Sequence, residues 1–232
     1  MNGHEVLAAR LAEVRQRVAA AAQCSGRTAE AVTLAAVTKT VSAAVAGEAL
    51  ASGVMDLGEN RVQEGLAKQA ILGRSGINWH LIGPLQTNKA RKAAESFDLI
   101  HTLDRADLAQ ALSEAGERLH RAIPVLIQVN VSGEQSKHGL PPEDVIPFLA
   151  GLASRPFLRP RGLMTMAPLT ATAEETRPVF SGLRELFVRA RTELGYGEDW
   201  RWLSMGMSND YEVAIEEGAN LVRIGTAIFG NR

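Results

Sequence analysis

Along the 232-residue chain, short apolar runs alternate with stretches whose hydrophobic positions recur every three or four residues. The runs fall near 32–38, 54–57, 79–83, 97–103, 124–131, 161–166, 201–205 and 221–225, and helical patterns occupy 43–51, 61–72, 87–96, 105–119, 143–153, 174–194 and 210–217. A helix precedes them all. Its apolar residues Leu7, Leu11, Val14 and Val18 are spaced four, three and four, which draws one stripe down a helix. Gly26 is placed to end it. The stretch from Pro124 to Asn130 is nearly all apolar, as suits a parallel strand covered on both faces. Eight strands separated by helices predict an α/β fold, a single-domain (β/α)8 TIM barrel over 1–232, with an extra N-terminal helix in 1–26 packed on the barrel. A doubly wound open sheet fits the same periodicity and stands as the alternative.

Composition narrows the setting. A chain that is 46% hydrophobic can bury a sizeable core. A net charge of -1 creates no bulk field for nucleic acid or an anionic membrane. The single cysteine, Cys24, offers no internal disulfide and suits a reducing compartment. No stretch approaches the roughly 18 apolar residues of a membrane span. The first residues include His4, Glu5 and Arg10, where a signal peptide would be continuously apolar. The expectation is a cytoplasmic monomer that binds neither nucleic acid nor membrane.

In a barrel, the strand C-termini and the loops after them form the working face. Polar residues collect there, and Lys39 stands out among them. Lys68, Lys89 and Lys92 lie in patterns that read as exposed helix, and Lys137 lies in a polar loop. Lys39 alone closes an apolar, β-prone run, and is read as aimed into a partly dry site. Desolvation there should lower its ammonium pKa, and a neutral amine can attack an aldehyde such as that of pyridoxal 5'-phosphate (PLP). A snorkelling lysine would occupy the same position. Lys137 is the competing nucleophile, expected to be exposed.

Two segments near the C-terminus suit a phosphate. Gly206 to Asp210 precede a helical pattern, where free backbone N–H groups bind anions. An ordinary N-cap made by Ser208 or Asp210 explains them equally. Arg223 and Gly225 share one strand face, read as inward. Gly225 permits close backbone approach, and Thr226 offers a hydroxyl and an N–H. These segments fall on the loops after strands 7 and 8, where barrels often bind phosphate. A salt bridge from Arg223 to Glu59 is the structural alternative. His80 and His101 stand singly at strand ends and suit structural roles. No metal-ligand spacing appears.

These residues carry a family resemblance. Ala36-Val37-Thr38-Lys39, Gly58-Glu59-Asn60-Arg61-Val62-Gln63-Glu64 and the segment from Trp79 to Lys89 resemble the pyridoxal phosphate homeostasis proteins. So do Gln128 to Ser132, Arg161 to Met164, Leu203 to Asp210 and Arg223 to Gly230, in order along the chain. Thr38 stands where serine is common in the family. The resemblance implies a barrel like the N-terminal domain of alanine racemase and PLP held on Lys39 as a Schiff base. It implies phosphate contacts at Ser208, Gly225 and Thr226, Arg223 at the pyridine nitrogen, Asn60 beside the ring and His80 nearby.

A carboxylate at the pyridine nitrogen would keep it protonated as an electron sink, whereas a permanent cation depresses that protonation. The implied function is therefore PLP homeostasis in vitamin B6 metabolism, a carrier with no catalytic residue assigned. PLP would exchange with free amino acids and apo PLP-enzymes. A racemase of this resemblance also uses a tyrosine from a second domain, and neither Tyr196 nor Tyr211 matches it, nor is such a domain expected here. A small PLP enzyme such as an amino-acid racemase is the alternative. A cofactor-free Schiff-base aldolase is a third reading.

Overall fold

The computed structural model describes residues 3–134, 137–170 and 172–230. Eight parallel strands close into a barrel in chain order: β1 (Thr33–Val37), β2 (Asp56–Glu59), β3 (Asn78–Leu81), β4 (Leu99–Leu103), β5 (Ile123–Gln128), β6 (Leu158–Met164), β7 (Trp202–Ser204) and β8 (Leu221–Ile224). Closure is made by β1 against β8, with Ala35 opposite Arg223 and Ala36 opposite Ile224. The open-sheet alternative is thereby excluded.

The crossovers carry α2 (Ala43–Ala51), α3 (Val62–Leu72), α4 (Ala90–Ser96), α5 (Ala106–Arg118), α6 (Val145–Gly151), α7 (Arg177–Glu193) and α8 (Tyr211–Glu216). Three of the periodic stretches begin with a 3-10 turn instead of a full α-helix, at Thr87–Lys89, Pro142–Asp144 and Ala173–Thr176. A last helix, α9 (Thr226–Phe229), lies where no helical pattern was legible.

The first helix, α1 (Gly3–Cys24), buries Leu7, Leu11, Val14, Val18, Ala21 and Ala22. It packs on α2, α8 and α9 at the seam where the barrel closes. Arg17 fastens it through Glu212, at 2.6 Å, and lies over the Tyr211 ring. Gly26, at φ +70°, reverses the chain after it, a conformation that favours glycine.

Strand alternation divides the core. Ala36, Trp79, Leu81, Ile100, Leu203, Val222 and Ile224 pack outward with the helices. Their alternates point inward, where Ala35, Leu99, Leu126, Met164 and Leu221 form a separate apolar plug. His80, His101, Ser204 and Arg223 share those inward faces, so a polar layer occupies ground that branched aliphatics usually fill. Among the described residues no helix is long and apolar enough to cross a membrane.

Candidate functional site

A cavity of about 730 Å3 opens at the C-terminal end of the barrel. Residues from the ends of β1, β2, β3, β6, β7 and β8 line it, among them Lys39, Asn60, Gly83, Met166, Ser208, Asp210, Arg223, Gly225 and Thr226. Six of the seven residues singled out for a ligand therefore face one space. The seventh, His80, is buried behind the wall and is absent from the lining.

Lys39 stands two residues beyond the end of β1, and its side chain is exposed in the cavity mouth. The expected partly dry setting is not found, because the lysine sits on the loop and not on the strand. Its seat is instead fixed from below. Thr38 is wholly buried, and its hydroxyl donates to Glu59 Oε1 at 2.5 Å. Lys68 Nζ donates to the same oxygen and to the Thr38 carbonyl, each at 2.5 Å. Thr40 on the other side has φ +62°, an uncommon and costly conformation for a β-branched residue. Lys39 is thus held between a pinned residue and a strained one.

This cluster corrects two expectations. Lys68 is buried against Glu59, because α3 turns Gly65, Lys68 and Leu72 to one face, and the lysine reaches a carboxylate. Glu59 is accordingly committed to Lys68 and Thr38 and forms no salt bridge with Arg223. Lys137 also departs from the exposed loop lysine expected of it. Its side chain is only 22% exposed, Glu134 lies 3.5 Å from the ammonium, and Nζ is buried without a hydrogen bond.

The opposite wall is built by the loops after β7 and β8. Ser208 Oγ accepts from the N–H groups of Gly225 and Ala227, both at 3.2 Å. The serine oxygen thus gathers both N–H groups at the cavity wall and keeps its own hydrogen to donate, which suits an anion such as a phosphate oxygen. Ser208 is therefore not a cap of α8. Asp210 holds that cap position but turns its Oδ1 back to accept from Met207 N–H at 2.6 Å. Burial raises the Asp210 pKa, opposed by that backbone bond and by the charges of Arg223 and Lys137. Gly206, at φ +91°, allows the tight return, since a Cβ there would lie 2.9 Å from Tyr211 Cα. Gly83 likewise admits Asn60, whose carbonyl oxygen would lie 2.3 Å from an added Cβ.

Arg223 is only 3% exposed. Nη1 donates to Ser204 Oγ at 2.6 Å and Nη2 to the Thr165 carbonyl at 2.8 Å, so both acceptors are neutral. Burial pulls its pKa down to about 10, with the Asp210 carboxylate in the same cavity opposing. Behind it His101 is fully buried, and burial, His80 and Arg223 in that order hold its pKa well below the ordinary histidine range. Ser204 and Thr165 were not assigned to Arg223 from sequence because it is the register of β6, β7 and β8 that brings them to it. Among the described residues no cluster of metal-binding side chains occurs.

Comparison with known proteins defines the class. The sequence profile of the alanine racemase N-terminal domain matches residues 9–232. An alanine racemase from Clostridium difficile 630, 16% identical, shares the fold with a TM-score of 0.71, over 87% of this chain and 55% of that one. A much nearer likeness is the pyridoxal phosphate homeostasis protein of Pseudomonas aeruginosa, 47% identical over 226 residues that cover 97% of this chain and 96% of the relative. PipY of Synechococcus elongatus PCC7942, solved both without PLP and with PLP bound, is 39% identical over 97% of this chain and 100% of its own, with TM-scores of 0.85 and 0.83. The chain belongs to the family of the pyridoxal phosphate homeostasis proteins.

Proposed function

We propose that this protein binds PLP as a Schiff base on Lys39 and serves cellular PLP homeostasis by holding and releasing it. The observation that carries this reading is the convergence on one cavity of an amine, an anion cradle and a buried cation. PLP supplies an aldehyde that condenses with a primary amine. The chain supplies that amine at Lys39 and phosphate contacts at Ser208, Gly225 and Thr226. Asn60 stands beside the ring, and Arg223 is the partner of the pyridine nitrogen. His80 contributes from behind the wall. PipY, with its PLP-bound structure, supports the ligand, and the names of the relatives support the homeostatic role.

Carriage in place of turnover is supported by the same residues. A cation at the pyridine nitrogen works against an electron sink. The exposure of Lys39 leaves the bound aldehyde open to free amino acids and apo PLP-enzymes.

Added PLP should give the wild type an imine absorption band that Lys39→Ala lacks. An equal band in the variant would move the attachment elsewhere, with Lys137 examined first. In heavy water, the loaded protein should exchange Cα hydrogens of amino acids no faster than free PLP does. Faster exchange would favour a racemase-like enzyme.

A further inference from the structure

The polar layer inside the barrel forms one continuous chain of hydrogen bonds. Arg223 Nη1 meets Ser204 Oγ at 2.6 Å, Ser204 Oγ meets His101 Nδ1 at 3.1 Å, and His101 Nε2 meets His80 Nδ1 at 2.9 Å. His80 Nε2 then meets Asp56 Oδ1 at 2.9 Å. The chain crosses the barrel from β8 through β7, β4 and β3 to the start of β2, from the cavity wall to the opposite end. Three links join consecutive strands, and one, from Ser204 to His101, spans 103 positions between β7 and β4; no sequence pattern announces that one.

Its direction follows from counting protons. Arg223 can only donate, so Ser204 Oγ accepts from it and must pass its own hydrogen onward. The neighbour in reach is His101 Nδ1, which therefore accepts. A neutral His101 then carries its hydrogen on Nε2 and donates to His80 Nδ1. His80 in turn carries its hydrogen on Nε2 and donates to Asp56. Every member is satisfied, and every bond runs from the cation toward the carboxylate. The reverse order would bring two donors to Ser204 Oγ and strand its own hydrogen. The depressed pKa of His101 agrees with the neutral ring this order needs.

We propose that Ser204, His101, His80 and Asp56 are positioning residues: a one-way relay that locks the Arg223 guanidinium at the cavity wall and links it to a carboxylate held at the far end of the barrel. The consequence for the ligand rests on the proposed function. A carboxylate beside Arg223 would compete for its donors and draw a proton toward the pyridine nitrogen. The carboxylate whose charge reaches Arg223 is Asp210; Asp56, at the other end of a neutral relay, instead fixes the tautomers that keep Ser204 an acceptor and leave the guanidinium a pure donor toward the ligand. His80 thus acts through Arg223 and not by contact.

The relay can be tested without ligand. In protein carrying nitrogen-15 histidine, two-bond nitrogen–proton spectra at neutral pH should show His80 and His101 as neutral rings protonated on Nε2. A hydrogen on Nδ1 of either ring, or a doubly protonated ring, would overturn the relay whether or not PLP binds.

The second measurement uses PLP labelled at the pyridine nitrogen. Asp56→Leu should shift that nitrogen's resonance and weaken PLP binding roughly tenfold, as expected when a bond to a charged group loses its support. Asp56→Asn, which keeps an acceptor oxygen, should largely restore both. Asp56→Leu and wild type alike in resonance and affinity would overturn the positioning role. Failure of the wild type to bind PLP would count against the proposed function and leave the histidine test standing.

Discussion

Lys68 and Glu59 are an ion pair taken almost wholly out of water, with side chains 9% and 0% exposed. Such a pair returns its desolvation cost only while both partners stay, and losing one leaves an uncompensated buried charge. Lys68→Ala should therefore cost about 3–5 kcal/mol in urea unfolding. The double variant Lys68→Met with Glu59→Gln should cost less than Lys68→Ala alone. A single variant with wild-type stability would contradict the seat assigned to Lys39. His101 supplies the pH dependence. Its folded pKa is depressed, so below about pH 6.5 the unfolded chain takes a proton that the native ring refuses. Its contribution is complete above that pH and is lost as the pH falls, at about 1.4 kcal/mol per unit. Unfolding at about pH 7.5 and about pH 5.5 should show this slope in wild type and a shallower one in His101→Gln. Equal slopes would contradict a neutral buried ring. At this scale the sequence made Lys39 legible, because a cation ending an apolar run is conspicuous. The burial of Lys68 is not legible in the same way, because a helix pattern shows a stripe and not the carboxylate beyond it.

The loops after β7 and β8 are where elements make the site. The Ser208 hydroxyl ties them by accepting from Gly225 and Ala227. Removing it in Ser208→Ala should weaken PLP about tenfold while leaving pyridoxal, which lacks the phosphate, nearly unchanged. Equal loss for both ligands would show that the serine builds the loop and does not read the phosphate. Strands and long helices were legible because each apolar run and each stripe is set by local periodicity. The limits were local too. β1 ends at Val37 and not at Thr38, because the Thr38 carbonyl accepts from Lys68 and from the Val41 N–H and not from a neighbouring strand. α9 was missed because a four-residue helix bounded by Gly225 and Gly230 carries no repeat.

At the scale of the whole molecule, closure of β1 on β8 does the assembling. It brings Lys39 and Arg223, 184 positions apart, to one cavity. The eightfold alternation announced a barrel, and the barrel rule placed chemistry at the strand C-termini before any contact was visible. What alternation could not announce was the polar strip through the interior, since it is continuous only through the Ser204 to His101 link, which joins β7 and β4 across the lumen. The proposed function turns on one covalent bond at the mouth of that cavity. Borohydride reduction of the PLP-loaded protein, followed by proteolysis and mass spectrometry, reads it directly. The reduced pyridoxyl group is expected on the peptide bearing Lys39. A group found on the Lys137 peptide, with Lys39 unmodified, would contradict that attachment.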